Sequence, residues 1–143
     1  RRDPELAALL FEPWPHLNPV SGAISHEPIC ARNDAGRLFT RYGRKYTDLP
    51  GHLSDRQIAA LDLFDAITRE PGFVLNMDFR PGDVQFLNNY VIMHARTEYV
   101  DWPDPERRRE LLRMWLVLRQ QFGLPPTFAN AGFISRAVVA DVA

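Results

Sequence analysis

His94 is the side chain in this sequence best placed to do chemistry. It follows a short apolar run, Tyr90-Val91-Ile92-Met93, and stands just before a polar one, Arg96-Thr97-Glu98. An imidazole at the end of a buried strand has a rigid backbone behind it, which suits metal ligation. A core histidine held by hydrogen bonds would give the same pattern, so the spacing leaves both readings open. Arg113 is the second such residue. It lies between Leu112 and Met114, apart from the run Arg107-Arg108-Arg109, which reads as a solvated face. A guanidinium drawn toward a core needs a partner, because an unpaired buried charge is strongly destabilising. A carboxylate matches its planar fork with two parallel bonds. That carboxylate is either internal, from Asp78, Asp83 or Asp101, or it belongs to a small-molecule ligand.

The other chemistry-bearing residues are less informative. His16 sits among prolines and His52 follows Pro50-Gly51, so both read as exposed loop residues. His26, before Glu27-Pro28, makes no chemical case. Cys30 is the single cysteine, which excludes an internal disulfide framework and a cysteine-based zinc cluster. With no secretory signal pattern, a reducing, cytoplasmic setting is expected.

The frame that must position these residues is small. The 143 residues make one domain at most, or a piece of one. Seventeen basic and 18 acidic side chains leave a net charge of -1, which argues against a nucleic-acid-binding module. No apolar run, Met114 to Leu118 included, is long enough to span a bilayer. Twelve prolines and eight glycines point to a turn-rich β protein rather than a helical bundle.

Residues 3–11 predict a short helix, with Asp3 as N-cap and Pro4 in its first position. Pro13, Pro15 and Pro19 argue against regular structure in the next stretch. Residues 24–30 and 37–46 read as strands joined by the Asn33-Asp34-Ala35-Gly36 turn. Residues 54–69 are the clearest helix. Ser54 and Gln57 form a capping box, Ile58, Leu61 and Phe64 recur at helical spacing, and Pro71-Gly72 ends it. Strands are expected at 73–79, 84–87 and 90–93, with a tight turn at Arg80-Pro81-Gly82-Asp83. Residues 110–118 fit helix or buried strand, and strand is favoured.

Taken in order, these residues resemble the C-terminal part of the taurine catabolism dioxygenase (TauD/TfdA) family. The matching set is Pro81-Gly82-Asp83-Val84, Phe86-Leu87-Asn88-Asn89, His94-Ala95-Arg96-Thr97, Asp101, and Arg107 through Leu116. The resemblance implies a double-stranded β-helix, or jelly roll: a mainly β fold with helical insertions. It implies an iron(II)- and 2-oxoglutarate-dependent dioxygenase, which couples decarboxylation of 2-oxoglutarate to succinate with hydroxylation of a small organic substrate. His94 matches the distal histidine of the two-histidine, one-carboxylate iron site. Arg113 matches the arginine that grips the far carboxylate of 2-oxoglutarate. Arg109 matches a second arginine near the co-substrate or an anionic substrate.

The sequence departs from the family at one point. The other two iron ligands form a His-x-Asp/Glu pair ahead of the distal histidine, and none occurs here. His16-Leu17-Asn18, His26-Glu27-Pro28 and His52-Leu53-Ser54 all lack the acid. No further catalytic residue is assigned. The expectation is that residues 1–143 are a single partial domain, the C-terminal half of such a dioxygenase. The missing ligands would then lie upstream of Arg1, and the chain alone would be inactive. The alternatives are a non-catalytic jelly-roll remnant or small-carboxylate-binding protein, and an interaction module using the aromatic residues Trp14, Tyr42 and Tyr46. The expected partner is a small-molecule substrate. A homo-oligomer is compatible with this reading, and neither nucleic acid nor membrane is expected.

Overall fold

The computed structural model describes residues 2–114, 116 and 123–129. The element order is α1 (Pro4–Leu9), β1 (Pro13–Leu17), β2 (Ile24–Pro28), β3 (Cys30–Arg32), β4 (Leu38–Thr40), α2 (Arg44–Thr47), α3 (Asp55–Thr68) and α4 (Pro126–Ala129), with a 3-10 turn at Pro105–Arg107. Among the described residues, the strands form two antiparallel pairs, β1 with β2 and β3 with β4.

Local chemistry explains the helices. Asp3 accepts from the Leu6 N–H at 2.9 Å and caps α1, with Pro4 at its first position. Ser54 accepts from the Gln57 N–H at 3.3 Å, and Gln57 Oε1 accepts from the Ser54 N–H at 3.0 Å. Two N-terminal donors are thereby satisfied reciprocally, as the capping box requires.

The hairpins follow from their turns. Asn18 Oδ1 accepts from the N–H groups of Val20 and Ser21, folding β1 back onto β2. Asn33 Oδ1 accepts from the Arg37 N–H at 2.9 Å, and Gly36 adopts φ 75°, which only glycine reaches without strain. This is the predicted Asn33–Gly36 hairpin. Its strands are shorter than the sequence predicts. The chain breaks at Ile29, whose carbonyl accepts from the Arg41 N–H, and residues 44–47 turn into α2 rather than extending β4.

One core joins Leu10, Trp14, Ile29, Cys30, Ala60 and Leu61, packing α1 and α3 around the strands. A second joins Ala31, Phe39 and Phe128, with Tyr90 and Leu124 against it. Tyr90 stacks on Phe128 with ring centroids 5.7 Å apart. Cys30 Sγ lies 3.7 Å from Thr40 Oγ1 across the β3–β4 ladder.

The structure corrects three expectations. The proline-rich stretch is not irregular, since Pro13–Leu17 forms β1. The Asn18 N–H donates to the Ala23 carbonyl, so even-numbered residues of β1 face β2 through their hydrogen bonds. Pro13 and Pro15 fall on the outer edge, where the missing N–H costs no ladder bond. The strands expected at 73–79, 84–87 and 90–93 are not strands, and neither are 110–114 and 116. A strand exists only through a ladder of bonds to a neighbour, and among the described residues these stretches form none; Tyr90 keeps one bond, from the Thr40 N–H. The rest of 110–118 lies outside the described residues. Trp14 is 1% exposed and Tyr42 half-buried, so they do not form an exposed aromatic surface.

Candidate functional site

His94 lies in an exposed segment without helix or strand. The segment is tied to the folded part just upstream, where the Thr40 N–H donates to the Tyr90 carbonyl at 2.8 Å. Below Tyr90, Asn88 caps a turn by accepting from the Tyr90 N–H at 3.1 Å. The predicted turn ahead of it is present: Arg80 O accepts from the Asp83 N–H, and Asp83 Oδ2 accepts from the Arg80 N–H at 2.8 Å.

After His94 the chain gathers arginines on aromatic rings. The Arg96 guanidinium lies 4.4 Å from the Tyr99 ring centroid, and Arg109 lies 6.0 Å from the same ring. Arg107 sits 3.5 Å over Trp102. Asp101 Oδ1 accepts from the Arg109 N–H at 3.1 Å, which folds residues 101–109 into a compact turn. A solvent-open concavity of about 620 Å³ runs along Arg96–Val100. Arg109 is therefore brought near Arg96 and Tyr99. Arg113 is exposed and forms no ion pair among the described residues. Its guanidinium is not desolvated and so requires no internal carboxylate. Asp83 and Asp101 serve backbone N–H groups instead.

Among the described residues, no three His, Cys, Asp or Glu side chains are grouped so as to hold a metal ion. The residues described do not fit a complete iron site. His94 offers one ligand of the three that an iron site of this kind needs.

The polar site that the structure does build was not anticipated. His16 was expected in an exposed loop and is instead 7% exposed, in β1. Tyr46 and Thr47 of α2 cover it, with Thr47 Oγ1 3.5 Å from Nδ1. Burial, and then the Arg41 charge, lower its pKa to about 4, so the ring is neutral at pH 7. Arg41 pairs with Glu27 in the same place, and both side chains are largely buried. Burial pushes the Arg41 pKa down from its ordinary value. His52 is exposed, as expected, and so is His26. A separate network joins α2 to α3. The Tyr42 hydroxyl donates to Asp65 at 2.7 Å, and Arg44 reaches Asp48, Asp62 and Asp65. Burial and the hydrogen bond to Asp65 push the Tyr42 pKa up.

The family described as "Taurine catabolism dioxygenase TauD, TfdA family" matches residues 17–115, and the chain belongs to it. Members of this family are non-haem iron(II), 2-oxoglutarate-dependent dioxygenases built on a jelly roll. Two curated relatives are similar in sequence. "FR-33289 synthase" of Streptomyces rubellomurinus is 37% identical over 59 residues, which cover 40% of this chain and 17% of that protein. "Taurine hydroxylase-like protein SAT17" of Stachybotrys chartarum is 33% identical over 96 residues, covering 61% of this chain and 24% of that protein. The chain thus spans a quarter or less of the length of these relatives. No solved structure matches it. No helix among the described residues is long and apolar enough to cross a membrane.

Proposed function

We propose that the protein carrying this chain is an iron(II)- and 2-oxoglutarate-dependent dioxygenase that hydroxylates a small organic substrate. The observation that carries this reading is the family match over residues 17–115, which takes in His94, Arg109 and Arg113. His94 is the distal iron ligand, Arg113 grips the far carboxylate of 2-oxoglutarate, and Arg109 lies near the co-substrate. Residues 1–143 are the C-terminal half of the jelly-roll domain, and the His-x-Asp/Glu pair comes from outside them. The substrate is anionic in this reading, because Arg96 and Arg109 gather beside Tyr99. A cytoplasmic setting goes with the free, buried thiol of Cys30.

The test is succinate formation by the whole protein with iron(II) and 2-oxoglutarate. His94→Ala abolishes it, and Arg113→Ala raises the KM for 2-oxoglutarate. Retained turnover in His94→Ala would place the distal ligand elsewhere. A second reading, a small-carboxylate-binding protein without turnover, draws on the exposed Arg113 and the absence of a metal cluster among the described residues. It expects 2-oxoglutarate binding that Arg113→Ala removes, with no succinate formed.

A further inference from the structure

The β1–β2 hairpin places His16 opposite Ser25 and Trp14 opposite Glu27. Side chains alternate along a strand, so His16, Asn18, Ser25 and Glu27 share one face of the hairpin. Arg41, anchored by its N–H to the Ile29 carbonyl, crosses that face and pairs with Glu27. Together they line a cavity of about 220 Å³. Ser25 Oγ donates to Glu27 Oε1 at 3.0 Å and fixes the carboxylate. The Arg41 and Glu27 side chains are only 13% and 18% exposed, so their charges act with little screening.

This arrangement selects by charge. An anion entering beside Arg41 meets the Glu27 carboxylate, and a cation beside Glu27 meets the Arg41 guanidinium. A molecule carrying both charges, inserted along the pair, turns one ion pair into two. The neutral His16 ring adds no net charge. The volume lies below the roughly 300–1,000 Å³ of drug-sized sites, leaving room for a ligand of a few heavy atoms. We propose that the cavity between the β1–β2 hairpin and Arg41 binds a small zwitterion of the amino-acid type, with its carboxylate on Arg41 and its ammonium on Glu27. The cavity uses none of His94, Arg109 and Arg113, so this binding is independent of the iron chemistry proposed above.

The test uses the whole protein that carries this chain and three probes, glycine, acetate and methylammonium, at equal millimolar concentrations. The readouts are Tm and the NMR resonances of the His16 ring, assigned by their loss in His16→Gln. Glycine raises Tm and shifts the ring resonances saturably, while acetate and methylammonium do neither. Glu27→Gln weakens glycine binding more than about tenfold, as expected when one member of a buried charge pair is removed. Should Glu27→Gln fail to fold, Ser25→Ala, on an exposed strand position, still reports through a several-fold loss. An equal response to acetate and glycine would overturn the zwitterion assignment. No saturable response to glycine would overturn the site.

Discussion

The Thr40 N–H, at the end of β4, donates to the Tyr90 carbonyl at 2.8 Å, and this bond joins the folded hairpin to the segment that carries His94. The Tyr90 ring seals the same junction by stacking on Phe128, which α4 delivers from far along the chain. A local β-hairpin and a remote aromatic thus hold the near end of the candidate iron ligand's segment.

Phe128 is 1% exposed, and truncating it opens a cavity against Ala31 and Phe39. Phe128→Ala should cost about 3–5 kcal/mol. A fall in the urea midpoint at unchanged slope checks this, and limited proteolysis near His94 should speed up in parallel.

Ser54→Ala removes the side-chain acceptor for the Gln57 N–H at the start of α3. The expected loss is about 0.5–2 kcal/mol. Ser54→Asp, which keeps an acceptor there, should restore most of it. Both are read by thermal denaturation.

The burial of His16 makes stability pH-dependent with a definite sign. Its pKa is lowered from 6.5 to about 4 in the folded chain. Above 6.5 the ring is neutral in both states and costs nothing. As pH falls from 6.5 toward 4, the unfolded chain takes up a proton that the folded chain refuses, so stability drops. The slope approaches about 1.4 kcal/mol per pH unit in that window and vanishes below it. Urea midpoints across the window should show this excess slope in the parent chain and not in His16→Gln.

A single exposed imidazole holds a divalent ion weakly. Titrating the 143-residue chain with iron(II) under anaerobic conditions should give no high-affinity phase, and His94→Ala should leave the isotherm nearly unchanged. A tight phase lost in His94→Ala would show that this chain completes the iron site by itself.

Where signals are local, the sequence is readable. Ser54 and Gln57 announce the start of α3, and Asn33 through Gly36 announce a hairpin, because each acts on its own neighbours. The burial of His16 is not legible, because Tyr46 and Thr47 cover it from some thirty positions away, and no short pattern carries such a contact. Pro13 and Pro15 look like strand breakers in sequence, yet their spacing of two puts both on one strand edge. At 73–79 the alternation of Phe73, Leu75, Met77 and Phe79 is real, and all four are exposed. Alternation states what a strand would bury and cannot supply the strand that pairs with it. His94 and the arginines stand out only by their order along the chain, which says nothing of the geometry around them.

Cys30 carries one last consequence. Its thiol is buried against Thr40, and burial raises its pKa, so little thiolate reaches solvent from the closed hairpin. A thiol-reactive dye must therefore wait for the β3–β4 ladder to part. The labelling rate then measures the free energy of that opening directly. As the only cysteine, it makes the unaltered protein its own stopwatch for the part of the fold that anchors Tyr90.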